Sequence, residues 1–342
     1  MTTFAPAAPR GASRRAAAVQ AAYVTLSFFY PAQQAMLDAK RTASLAAIHT
    51  GQRAKEKGIA WGQTVADAML AWRSTDGITP PAPPFLGGSD PGQWRPTMPA
   101  FIPGVFPEWA TMVTWSIESP SQFRPAGPPA LGSARYASDF SETQLVGSLT
   151  SAVRTSDQTL FSEFWASSTA SYYWNQVAIA LDHRHNSVLK KARLLALLNV
   201  AMADAAIACW DAKYTYTFWR PVTAIGLQDP SWTPLLFTPP HPEYPSGHSS
   251  FSGAAASVLR DRFGEHTAFS VTSDVMLGVV RSFANFSSAL EEIKDARIYA
   301  GIHFRSACDD GDETGNAVAQ YVVSHTAQPV CDEEGDDDGG EN

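Results

Sequence analysis

Apolar residues recur at three- and four-residue spacing over most of this chain, which predicts helices at about 15–30, 38–73, 139–155, 157–180, 187–212, 248–263, 283–300 and 312–325. Stretches with strand alternation are few, so the expected fold class is mainly α. The most apolar run, "LLALLNVAMADAAIACW" at 194–210, is interrupted by Asn199 and Asp204 and is too short to predict a membrane span. The first apolar stretch, "AAAVQAAYVTLSFFY", follows Arg10, Arg14 and Arg15 with no acid before Asp38, as a signal or transit peptide would. Gln20, Thr25 and Ser27 within it, and the absence of a clear small-residue cleavage site, favour a buried amphipathic helix ended by Pro31.

The helical pattern lapses between Asp76 and Ser133, which hold 13 of the 24 prolines. "TPPAPPF" and "PAGPPALG" cannot continue a helix. A disordered linker rarely carries as many aromatics as Trp94, Phe101, Phe106, Trp109, Trp115 and Phe123, so an irregular segment packed over the helices is expected. With no internal repeat, residues 1–330 read as one α-helical domain with segment 76–133 folded onto it.

Composition refines this picture at the C-terminus. The net charge is −8, but "CDEEGDDDGGEN" at 331–342 carries seven acids and no base, leaving −1 for residues 1–330. The tail reads as a disordered acidic end, and a nearly neutral body offers no nucleic-acid footprint. Cys209, Cys308 and Cys331 are too few for a disulfide framework, and no Cys-x-x-Cys pair suggests zinc. No compartment is predicted.

Three polar islands interrupt the C-terminal half. "KYTYTFWRP" places Lys213 and Arg220 seven residues apart, which on a continuing helix sets both cations on one face with Pro221 stopping the helix. "PSGH" at 245–248 suits a helix start, and "ARIYAGIHFR" sets Arg297 six residues before His303, with Gly301 where a helix would end. Singly, these are a solvated basic face, a helix cap and a core histidine. Jointly they supply three fixed cations, the N–H groups of a helix start and two imidazoles. A tetrahedral oxyanion needs that set: guanidinium forks and helix N–H groups for its oxygens, glycine for close approach, and imidazoles for bonding and proton exchange.

Lys-x6-Arg-Pro, Pro-Ser-Gly-His and Arg-x5-His, in this order, resemble the three-part signature shared by vanadium-dependent haloperoxidases and type-2 phosphatidic acid phosphatases. "FTPPHPEYPSGHSSFSGAAA", "RSFANFSS" and the proline-rich "SPSQFRPAGPPALGSARYASDFSE" look like the haloperoxidase-related branch, and the likeness covers most of residues 14–325. The resemblance implies a helical bundle that binds vanadate and oxidises bromide or iodide with hydrogen peroxide to hypohalous acid. It gives Lys213, Arg220 and Arg297, with Ser246 and the Gly247 N–H, to the vanadate oxygens, and polarisation of the peroxide to Lys213. His303 would be the metal ligand and His248 the acid–base group. It also points to homodimers and to a further helix pair ahead of residue 14.

Departures are few. Ala296 replaces a serine that usually opens the third motif, and His241, at the implied pocket entrance, resembles bromoperoxidases more than chloroperoxidases, although a surface-loop histidine accounts for it equally. Asp204, Asp211 and Asp157 are conceivable counter-charges to the cations, but capping or surface pairing explains them as readily, so the site is taken without them. The competing function is a soluble acid phosphatase cleaving phosphate monoesters through a phosphohistidine at His303. A zinc or iron site is disfavoured because His241, His248 and His303 lack a companion carboxylate at an obvious ligand spacing.

Overall fold

A computed structural model of the chain describes residues 7–182 and 187–328. It is mainly α, with the helices α1 (Arg14–Phe29), α2 (Gln34–Ala46), α3 (Gln52–Arg73), α4 (Ala134–Val146), α5 (Ser156–Ala166), α6 (Ala170–Leu181), α7 (Val188–Tyr216), α8 (Pro221–Gly226), α9 (Gly247–Phe263), α10 (Phe286–Tyr299) and α11 (Arg305–His325). A short hairpin between α9 and α10, β1 (Phe269–Thr272) and β2 (Val280–Phe283), pairs antiparallel with Phe269 opposite Phe283. The hairpin was not expected from the sequence, where periodicity carried a helix back to residue 283. The acidic stretch 331–342 lies outside the described residues.

Two predicted long helices are each broken in two. Within 38–73 the chain turns at Ala47–Gly51: Ile48 is buried and Gly51 caps α3, so α2 and α3 both lie against α1. Within 157–180 the break falls at Ser167–Thr169. The Ser167 hydroxyl bonds the Phe164 carbonyl at 2.8 Å, and Thr169 caps α6 by accepting the Tyr172 N–H. These short hydroxyl side chains compete for the backbone groups a continuing helix would use.

The core gathers around α7. Its buried positions, among them Leu194, Leu198, Ala201, Ala205, Ile207 and Ala208, lie on several faces, as a central helix requires. Among the described residues this one helix is long and apolar enough to cross a membrane, yet more than half of that stretch is buried inside the protein. Phe164, Trp174, Phe286 and Leu259 from α5, α6, α10 and α9 complete the cluster, each contributing about 1.5–3 kcal/mol through apolar burial. α9 and α11 approach closely because Gly315 faces the Ser250 carbonyl, where a Cβ would stand 2.0 Å from the oxygen. Ala296, where a serine was the usual residue, is fully buried in the same core.

α1 packs as a folded helix. Ser13 caps it, the amide Nε2 of the buried Gln20 donates to Gln63 Oε1 on α3 at 2.9 Å, and Gly62 leaves room for the Ala17 carbonyl.

Segment 76–133 lies against the helices. Trp94 is fully buried and Ile117 nearly so. The segment is fastened to the end of α7 and to the chain after it: the Trp94 N–H donates to Thr217 O (2.6 Å), Trp219 N–H to Gly92 O (2.9 Å), and the Tyr214 hydroxyl to Val105 O (2.6 Å). Asp204 receives the N–H groups of Trp115, Ser116 and Ile117 at 2.7–3.0 Å, and Arg124 forks onto Asp211 at 2.5 and 2.7 Å.

Candidate active site

Lys213 and Arg220 do not share a helix face, contrary to the spacing argument. Thr217 adopts a left-handed conformation (φ 46°) that ends α7, Phe218 bridges Gln93 of the proline-rich segment with Thr217 and Trp219 bonded to Trp94 and Gly92 on either side, and Arg220 precedes Pro221 in β geometry. The two cations converge through this loop instead. Both are fully buried.

The Lys213 ammonium donates to three backbone carbonyls of one corner: Pro242 (2.9 Å), Glu243 (3.1 Å) and Pro245 (2.5 Å). Its three N–H groups are thereby all engaged. Arg220 donates through Nε to His241 O (2.9 Å) and through Nη1 to Ile302 O (2.7 Å). Nη1 also lies 3.2 Å from His303 Nε2, and Nη2 lies 3.0 Å from His241 Nδ1. One guanidinium therefore bridges two histidines from different motifs.

PSGH opens a helix as expected. Ser246 caps α9, with its hydroxyl accepting from Ser249 N–H and Ser249 Oγ at 3.4 and 3.1 Å. Gly247 and His248 are the first helical residues, whose N–H groups have no partner within a helix. Arg297 lies in the last turn of α10, which Gly301 (φ 75°) follows, so that His303 enters just before α11.

Burial is accompanied by unmet polar capacity. Arg297 is 2% exposed, yet its Nε and Nη1 have no hydrogen-bond partner, and neither has His248 Nε2. Desolvation, then the charges of Arg220 and Lys213, holds the His303 imidazole well below its ordinary pKa. Desolvation with Arg297 does the same at His248, and desolvation with Lys213 and Arg220 at His241. All three rings are neutral near pH 7. Burial also draws Lys213 down to about 8 and lowers both arginines, which as guanidiniums stay charged.

The acid among these cations is Glu243, which the sequence reading missed; burial pushes its carboxyl up to about 8, against the Phe304 N–H and the charges of Arg220 and Lys213, which favour the ionised form. Fully buried, it accepts through Oε1 from His303 Nδ1 (2.9 Å) and from the Phe304 N–H (2.9 Å). Its sequence signal was an acid set between two prolines inside "HPEYPSGH". Asp204, Asp211 and Asp157 are engaged elsewhere, the last with Arg281 at 2.6 Å. Aromatic rings wall the site. Trp210 packs on His241 (5.2 Å between centroids) and Phe251 (6.0 Å), and Trp109 from the proline-rich segment packs on Trp210 (5.1 Å). His241 is thus neither a free surface residue nor a detached one.

The expected residues are therefore brought together: Lys213, Arg220, His241 and His303 through contacts with one another or with one corner, Ser246, Gly247 and His248 at the α9 start, and Arg297 through its field on the histidines. The set fits vanadate. A buried guanidinium with unpaired donors beside a helix N-terminus is complementary to an oxyanion, and neutral imidazole nitrogen suits a metal centre.

Comparison with known proteins bears on the same residues. A family model described as the VCPO second helical-bundle domain matches residues 193–228 and 226–332, which contain all three motifs. The fold resembles the crystal structure of a bacterial vanadium-dependent iodoperoxidase with a TM-score of 0.82 and 31% sequence identity, over 94% of this chain and 81% of that one. The chain belongs to the vanadium haloperoxidase-related family. Vanadium chloroperoxidase of Curvularia inaequalis is 39% identical over 85 residues, 20% of this chain and only 14% of the chloroperoxidase. The holo-type structure of a bacterial vanadium-dependent chloroperoxidase shares the haloperoxidase fold at a TM-score of 0.73 and 17% identity, over 90% of this chain and 81% of its own.

Proposed function

We propose that this chain binds vanadate and oxidises iodide or bromide with hydrogen peroxide, releasing hypohalous acid that halogenates an organic acceptor. The observation that carries this reading is Arg297, a buried cation with two N–H groups unpaired. An uncompensated charge so deeply buried is costly, and an anion relieves it. Bound vanadate supplies a Lewis acid that activates peroxide toward halide.

The chain's own residues then have distinct tasks. Arg220 and Arg297 neutralise the oxyanion, joined by Ser246 and the Gly247 N–H at the start of α9. His303 is the metal ligand through Nε2, because its Nδ1 is committed to Glu243. His248, neutral and unpartnered at Nε2, takes up a proton from peroxide and returns it. Lys213 contributes positive charge and holds the 242–245 corner. Trp210, Phe251 and His241 exclude water around these groups. Likeness to an iodoperoxidase supports iodide ahead of bromide.

The test sets vanadate-loaded protein with peroxide and iodide or bromide beside vanadate-free protein with p-nitrophenyl phosphate. Halide oxidation that needs both vanadate and peroxide is expected. Phosphate ester hydrolysis that vanadate abolishes, with no halide oxidation, would replace this reading by the phosphatase one.

A further inference from the structure

We propose that Glu243 is a positioning residue: it fixes the proton and ring plane of His303, so that Nε2 stays unprotonated and able to accept. The inference rests on the reading of His303 as the vanadate ligand.

Two contacts on opposite sides of the ring fix the same tautomer. Arg220 Nη1, 3.2 Å from His303 Nε2, can only donate, so Nε2 must accept. The proton therefore resides on Nδ1, which donates to Glu243 Oε1 at 2.9 Å. The Phe304 N–H binds the same carboxylate oxygen at 2.9 Å and is fixed in turn by the chain immediately after His303. Glu243 thus bonds both the ring and the backbone that carries it.

The carboxylate is itself held. Lys213 binds the carbonyls of residues 242, 243 and 245, which anchors the backbone on both sides of Glu243. Glu243 N–H donates to Phe218 O at 2.9 Å, within the loop that delivers Arg220. The first two motifs accordingly fix the position of a residue whose side chain acts on the third. Carboxylate–histidine–metal pairs orient ligands in this way generally, and losing the outer partner weakens metal binding by about 10–100-fold.

The test uses Glu243→Ala and Glu243→Gln in the full chain, with vanadate affinity measured by equilibrium dialysis and the His303 tautomer read by 15N NMR in vanadate-free protein, its signals identified by their loss in His303→Gln. In the unsubstituted protein His303 should show a protonated Nδ1 and an unprotonated Nε2. Glu243→Ala should lose this preference and weaken vanadate binding by at least about 10-fold. Glu243→Gln, whose amide oxygen can still accept from Nδ1, should keep the tautomer and lose clearly less affinity. Unprotonated Nδ1 in the unsubstituted protein, or vanadate affinities for both variants equal to the original, would overturn the proposal. Equal losses in Ala and Gln variants with an unchanged tautomer would overturn it too. Failure of the unsubstituted protein to bind vanadate would instead sink the proposed function, and the tautomer arm, which needs no vanadate and includes the conservative Gln variant, would still decide the role of Glu243.

Discussion

Arg297 carries a cost that the fold alone does not repay. Its buried guanidinium has two unpaired N–H groups, and desolvation lowers its pKa. Arg297→Met is therefore expected to leave the vanadate-free protein at least as stable, by about 1 kcal/mol, while vanadate affinity drops by about 10-fold or more; thermal unfolding and equilibrium dialysis measure the two effects. A second titratable group outside the site behaves in the opposite sense to a salt-bridged acid. Burial raises Asp312 from 3.8 to about 6. The fold thus favours its protonated form, and stability from this group is lost as pH rises from the unfolded value through about 6. Asp312→Asn should stabilise the protein by about 1–2 kcal/mol at pH 8 and by much less at pH 4, as urea unfolding at the two pH values would reveal. The residue types of the candidate site were legible in the sequence because oxyanion chemistry restricts them to a few side chains at short spacings. Glu243 was not, because its role is a contact with His303, 60 residues away.

At the scale of elements, Asp204 joins α7 to the proline-rich segment by receiving three successive backbone N–H groups. Asp204→Ala leaves those donors without an acceptor and should cost about 3 kcal/mol, with Asp204→Asn milder. Faster amide exchange at 115–117, beyond any change in α5, would confirm that the segment is the part released. Sequence periodicity located nearly every helix because the apolar faces of α7, α9 and α11 are continuous. It failed at Thr217, where a left-handed residue and pairing with residues 92–94 end the helix before Arg220. Those contacts come from residues far back along the chain, Gly92 and Trp94, and leave no local pattern. The breaks at 47–51 and 167–169 were marked only by Gly51 and by serine and threonine hydroxyls, signals weaker than the surrounding periodicity.

For the whole molecule, the buried cations tie the proposed anion binding to folding. Vanadate at about 100 times its Kd should stabilise the protein by about 2.7 kcal/mol, raising the thermal midpoint, and Arg297→Met should reduce that rise at the same vanadate concentration. Differential scanning calorimetry with and without orthovanadate measures both. The packing of segment 76–133 was legible from its aromatics, since Trp94 and Trp109 would be costly in water. Its role in walling the site through Trp109 was not, because that depends on where the segment crosses α7.

The pairing of residues 92–94 with 217–219 ends one residue before Arg220. An affinity tag or loop graft spliced between Gly88 and Trp94, where composition alone would suggest a permissive spacer, would therefore shift the frame that aims a guanidinium at two histidines.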